Sequence, residues 1–191
     1  MAIPLLAFGA LAAANGGSVF SSDGSSLAGW TNSGVTVSAT IGNPAPSFSA
    51  VPTAQNAHIQ IANLTSFAGR TMQFDAMLAN TNALLDVFFA CNSSGQGLYL
   101  RLDSRTANAC GISTATGWTT GVVPSGTTFS TTDASWHTYK IVFNGAGTAI
   151  DVYKDGVQVI SARASTLQGN YIGLWSDAGS NGGYLDNILI S

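Results

Sequence analysis

Glutamate is absent from this chain of 191 residues, and all nine of its acids are aspartates. Lysine and arginine together number six, so only 8% of the residues are charged, where an average soluble domain has about 25%. Each scarcity excludes something. Phosphate neutralisation needs basic clusters, and a chain of net charge -3 offers none, so nucleic acid is not its partner. Chemistry built on paired glutamates is excluded outright. Two cysteines, Cys91 and Cys110, are too few for a disulfide framework. The two histidines, His58 and His137, have no cysteine or glutamate beside them and make no zinc motif. A nucleophile elbow, a phosphate loop and a dinucleotide fingerprint are likewise missing.

What takes the place of charge is Ser, Thr, Asn, Ala and 22 Gly, with 46% hydrophobic residues. That content excludes disorder and suffices for one domain with a substantial core. The uncharged polar surface is of a kind associated with extracellular and particle-borne β proteins.

The first segment is apolar: Ile3, Leu5, Leu6, Phe8 and Leu11 lead into Ala12, Ala13 and Ala14. It is too short for a bilayer span, which needs about 20 residues. It carries no Lys or Arg as a secretory signal would, and the chain starts at Met1. Ordering such a segment costs about 1–2 kcal/mol per residue, offset only if its large side chains are buried. We therefore expect residues 1–18 to form an arm or helix for assembly, in a homo-oligomer or against other particle proteins. Packing on its own domain and a membrane-surface contact are the alternatives.

Residues 19–191 read as one β domain. Short alternating segments are expected as strands at 59–62, 70–78, 84–92, 97–103, 109–114, 137–143, 149–154, 157–161, 171–175 and 184–190, separated by Gly/Asn/Ser turns. In 97–103, Leu98, Leu100 and Leu102 share one face, with Tyr99, Arg101 and Asp103 on the other. In 70–78, Met72, Phe74 and Ala76 oppose Asp75, and in 84–92, Leu85, Val87, Phe89 and Cys91 oppose Asp86. If the three strands pair in sequence, Asp75, Asp86, Tyr99, Arg101 and Asp103 converge on one exposed sheet face. The cysteines would then lie on strands flanking a third, which favours buried free thiols over a disulfide. The sequons at Asn63 and Asn92 carry no weight in so Asn/Ser/Thr-rich a chain.

The C-terminal third carries a pattern. Trp136-His-Thr-Tyr-Lys-Ile-Val-Phe-Asn144, Ile150-Asp-Val-Tyr-Lys-Asp-Gly156, Tyr171-Ile-Gly-Leu-Trp175 and Tyr184-Leu-Asp-Asn-Ile188 resemble the closing strands of concanavalin A-like lectin/glucanase domains, including laminin-G-like modules. Phe20-Ser-Ser-Asp-Gly24 and Leu27-Ala-Gly-Trp30 are similar to their opening. The resemblance implies an all-β, antiparallel jelly-roll β-sandwich. It does not bring catalysis, because the E-x-D-x-E strand of the glucanases has no counterpart here. It implies glycan binding on a concave sheet, which would use Asp75, Asp86, Tyr99, Arg101 and Asp103, with Trp118 and Trp175 near one end. Against this stands an intramolecular Asp–Arg pair, and a Trp118 that merely caps a core edge. Trp30 and Trp136 match core positions. Calcium is frequent in the superfamily and would fall at Asp23 and Asp186, two acids where six to eight oxygens are wanted; otherwise no cofactor is implied.

The expected function is a non-catalytic structural and attachment protein of a virion, a phage spike, fibre or decoration subunit, presenting a lectin-like domain to host glycans. The alternatives are a secreted bacterial polysaccharide-binding module and a glycosidase without the usual motif. The expected location is the virion or the extracellular space.

Overall fold

A computed structural model describes residues 18–51, 55–119, 124, 126–177 and 181–191. The apolar segment with Ile3, Leu5, Leu6, Phe8 and Leu11 lies outside the described residues. The described residues form fifteen strands and no helix. In chain order they are β1 (Phe20–Ser22), β2 (Thr31–Ser33), β3 (Thr36–Ser38), β4 (Ser47–Ala50), β5 (Gln55–Gln60), β6 (Thr71–Leu78), β7 (Leu84–Cys91) and β8 (Gln96–Asp103). There follow β9 (Cys110–Thr116), β10 (Thr128–Phe129), β11 (His137–Phe143), β12 (Ala149–Lys154), β13 (Val157–Ala164), β14 (Tyr171–Ser176) and β15 (Gly183–Ile190). Each segment expected as a strand overlaps one, although 59–62 shares only Ile59 and Gln60 with β5, which begins four residues earlier. The additional strands β1 to β4 and β10 are only two to four residues long, too short to show a period of two.

The strands make two antiparallel sheets. The eight-stranded sheet runs β13-β12-β11-β6-β15-β4-β3, with β1 also pairing β15, and the seven-stranded sheet runs β10-β9-β8-β7-β14-β5-β2. Between them lies one core, in which Phe48, Phe74, Phe89, Leu100, Tyr139, Ile141 and Ile190 are buried. Each such side chain gains about 1.5–3 kcal/mol on burial. The fold is an antiparallel β-sandwich, as the alternation implies.

Two expectations are corrected. First, β6 does not pair with β7. Both its edges are taken, by β11 and β15, and the chain crosses to the other sheet after Leu78. Asp75 therefore sits on the eight-stranded sheet, away from Asp86, Arg101 and Asp103. Second, the alternation in β7 fails at its end. Ala90 adopts φ +53°, and the pairing with β14 shifts register there. The bulge turns Ala90 into the main core and Cys91 onto the opposite side, with Phe88 and Tyr99. Cys91 and Cys110 do flank β8, and both are free and buried.

Candidate functional site: the outer face of the seven-stranded sheet

Register fixes which side chains share the outer face. Across β9, β8, β7, β14, β5 and β2, one row reads Ser113, Tyr99, Phe88, Gly173, His58, Thr31. The next reads Gly111, Arg101, Asp86, Trp175, Asn56, Ser33. Of the residues singled out in the sequence, Asp86, Tyr99, Arg101, Asp103 and Trp175 thus come together here.

That face is not the exposed polar surface expected. Asp86 and Tyr99 are wholly buried, and Arg101 is 3% exposed. Arg101 grips Asp86 with two parallel bonds, Nε to Oδ1 at 2.9 Å and Nη2 to Oδ2 at 2.8 Å, and lies over the Tyr99 ring. The hydrogen bond and charge of Asp86 raise the Arg101 pKa although burial opposes the charge. Further along, Arg105 donates from Nε and Nη2 to the two oxygens of Asp103 at 2.9 and 2.8 Å, with Asp177 3.7 Å from Nη1. The intramolecular pairing is the arrangement present.

The aromatic end of the face is partly open. Trp118, from the loop after β9, reaches over β14. A methyl group at Gly173 would lie 3.0 Å from the edge of its indole, so the absent side chain is what seats the ring there. The indole lies parallel to His58 at 4.0 Å, edge-on to Phe88 at 5.6 Å and 6.1 Å from Tyr171. Its Nε1 donates to the Ser93 carbonyl at 3.3 Å. Leu84, Phe88, Cys91, Tyr99, Ala115 and Trp175 form a small apolar cluster, against which Trp118 and Tyr171 pack half-buried. Trp118 therefore does cap a core edge, yet leaves part of its ring in solvent. Nδ1 of His58 is buried with no hydrogen-bond partner, and burial lowers the pKa of this side chain. His58 and Tyr171 were not singled out as site residues. The available signal was the alternation of His58 and Gln60 with Ala57 and Ile59 in β5, but the stacking partner is sixty residues away.

Asp75 lies on the outer face of the other sheet. It accepts from Thr138 Oγ1 at 2.6 Å, Asn187 Nδ2 at 2.8 Å and Asn43 Nδ2 at 3.3 Å. Asp186, opposite it in β15, is wholly buried and accepts the backbone N–H groups of Asn43 and Asn187 at 2.6 and 2.7 Å. Burial raises its pKa. Asp23 is exposed and accepts the Ser25 N–H at 3.0 Å within its own turn. With Asp186 engaged by backbone amides, Asp23 and Asp186 do not present a calcium ligand set. Among the described residues no three His, Cys or Asp side chains converge on a metal position. Trp30 packs edge-on to Phe48 at 5.0 Å against the main core, as expected, whereas Trp136 belongs to neither apolar cluster and only neighbours Tyr184, at 6.5 Å. His137 is held between Asp155 and Asp133, at 2.6 and 2.8 Å.

A groove of about 610 Å³ lies elsewhere, at the edge of the sandwich beside Phe20, Asp23, Trp30, Ile59 and Leu189. The sheet face, by contrast, combines half-exposed rings with an orphaned ring nitrogen. No helix among the described residues is long and apolar enough to cross a membrane.

No protein-family model matches the chain, and no curated protein matches it in sequence. Solved structures do. A Bacillus subtilis protein of unknown function with a galectin-like fold superposes with a TM-score of 0.61 at 14% identity, over 92% of this chain and 96% of that one. The carbohydrate-binding module CBM66 from Bacillus subtilis gives 0.61 at 16% identity, over 85% and 95%. A carbohydrate esterase of the Shiga toxin-encoding bacteriophage phi24B gives 0.55 at 16% identity, over 91% and 97%. At such identities the likeness speaks to architecture alone, and the architecture is that of the galectin-like, concanavalin A-like β-sandwiches.

Proposed function

We propose that this protein is a non-catalytic glycan-binding module, and that Trp118, Tyr171 and His58 form its binding surface. The observation that carries this reading is the half-exposed Trp118 indole, seated on Gly173 beside Tyr171 and His58. Ring faces pack against the C–H face of a pyranose, and neighbouring amide and imidazole groups exchange hydrogen bonds with its hydroxyls. Gln60, exposed next to Tyr171 and 3.3 Å from its hydroxyl, supplies such an amide. Asp86 and Asp103 each sit in an arginine fork, which keeps them from acting as free acid or base. The fold is shared with a carbohydrate-binding module, which supports the same reading.

The reading extends to attachment, with the module displayed on a virion or outside a cell. What supports this is the charge-poor Ser/Thr/Asn/Gly surface and the occurrence of the fold in a bacteriophage carbohydrate esterase. A secreted polysaccharide-binding module is the alternative, favoured by the likeness to CBM66.

Affinity electrophoresis in gels containing laminarin, galactan or levan tests the binding. Wild type is expected to be retarded by at least one of them. Trp118→Ala and Tyr171→Ala are expected to bind at least about tenfold more weakly, a loss of about 1.4 kcal/mol, with near-ultraviolet circular dichroism confirming the fold. No reducing ends should be released. Unretarded wild type in all three gels, or variants that bind as well as wild type, would overturn the proposal.

A further inference from the structure

The placement of charge says which class of glycan this face takes. The chain has six cationic side chains. Arg70, Lys140, Lys154 and Arg163 lie on or beside β6, β11, β12 and β13, all in the eight-stranded sheet. Only Arg101 and Arg105 belong to the outer face of the seven-stranded sheet, and each is already held by a carboxylate in a two-bond fork. Asp177 adds a third carboxylate at the Arg105 end, so acids outnumber bases there.

An anionic sugar, a uronate or a sialic acid, is recognised through charge-assisted bonds, best from a guanidinium fork. Here it would have to take Arg101 from Asp86, leaving a wholly buried carboxylate without its counter-ion, and separating a buried pair in that way is strongly unfavourable. His58 supplies no compensating charge at neutral pH, because burial holds its imidazole neutral. Around Trp118 the accessible groups are uncharged (the indole itself, Tyr171, Gln60 and Thr31), and the part-exposed Arg105 beyond them is engaged by Asp103 and Asp177.

We infer that the face selects uncharged glycans and rejects acidic ones. The inference rests on the glycan-binding reading above and adds the substrate class. The mutual neutralisation of Arg101 and Asp86, and of Arg105 and Asp103, is what sets the selectivity. Asp103 thus acts as a specificity-determining residue through Arg105, with no contact to the sugar required.

The test compares neutral laminarin, galactan and levan with acidic polygalacturonate and alginate, in affinity gels at physiological salt. Wild type is expected to bind at least one neutral polymer, with Trp118→Ala abolishing the retardation, and to bind both acidic polymers at least tenfold more weakly. The double variant Asp103→Asn, Asp177→Asn removes both carboxylates beside the part-exposed Arg105, and retardation by polygalacturonate is expected to appear or strengthen. Should that variant fail to fold, the wild-type comparison decides alone. Equal or tighter binding of an acidic polymer, lost in Trp118→Ala, would overturn the selectivity while leaving glycan binding intact. Absence of binding to all five polymers would remove the glycan reading and this inference with it.

Discussion

Asp86 and Arg101 face each other across β7 and β8, and both are buried. The gain from such a pair is smaller than it looks, because each ion also gives up its hydration. What the pair imposes is a penalty on losing one member. Arg101→Met takes the guanidinium counter-ion from the buried Asp86 carboxylate, and should cost about 3–5 kcal/mol. For a domain of this size that lowers Tm by roughly 6–20 °C. The double variant Asp86→Leu, Arg101→Met removes both charges and should recover most of the loss. Calorimetry on the two variants decides, and equal falls would refute the lost-counter-ion account. That Asp86 and Arg101 share a face follows from the alternation of each strand once β7 and β8 are taken as neighbours, and the register then sets them opposite each other. Their burial is not legible in the sequence, because it depends on what covers the sheet, and nothing in the two strands encodes that.

Alternation reports which way a side chain points, and it succeeds where a strand is regular. In β8, Leu98, Leu100 and Leu102 enter the main core, while Tyr99, Arg101 and Asp103 face outward, as read from the sequence. It does not report which strand lies alongside. Asp75 and Asp86 belong to strands consecutive in the chain, yet these strands occupy different sheets, since β6 is held between β11 and β15. The period also breaks without warning at Ala90, because an alanine at φ +53° carries no signature that a glycine would. The bulge has a chemical consequence. It places Cys91 in the Phe88–Tyr99 cluster, where burial pushes its thiol up to about 12, and Cys110, on the far side of β8, is pushed up to about 11. Both values are raised, so at pH 8 the reactive thiolate is rarer than in a free cysteine. An aromatic disulfide reagent at that pH should label neither cysteine in the native protein and both in denaturant. Labelling of one thiol at the rate of a free peptide would show that its strand opens locally.

The eight-stranded sheet is tied together in sequence by its last strand. β15 pairs with β6 along one edge and with β4 and β1 along the other, so the C-terminal strand holds three elements from the first half of the chain. Pairing of such remote segments makes folding slow, because loop-closure entropy must be met before the contacts form. It also sets the two ends of the sandwich side by side: the Val19 N–H donates to the Ile190 carbonyl at 2.8 Å, and Phe20 lies opposite Ile190. Connectivity there is consequently a matter of convenience, whereas the pairing is indispensable. A permutant that joins Ser191 to Ser18 through a Gly/Ser linker should therefore fold. New ends between Gly145 and Ala146 fall in an exposed turn, where an added Cβ at Gly145 would meet nothing within 4 Å. That permutant should unfold cooperatively and keep its near-ultraviolet circular dichroism. A chain ending at Gly182, which lacks β15 altogether, should show neither, because β1 loses its partner and the outer edge of β6 and the β3–β4 hairpin lose theirs. If the truncated chain instead unfolds cooperatively with native-like aromatic ellipticity, β15 is dispensable and the sandwich is held by its core alone.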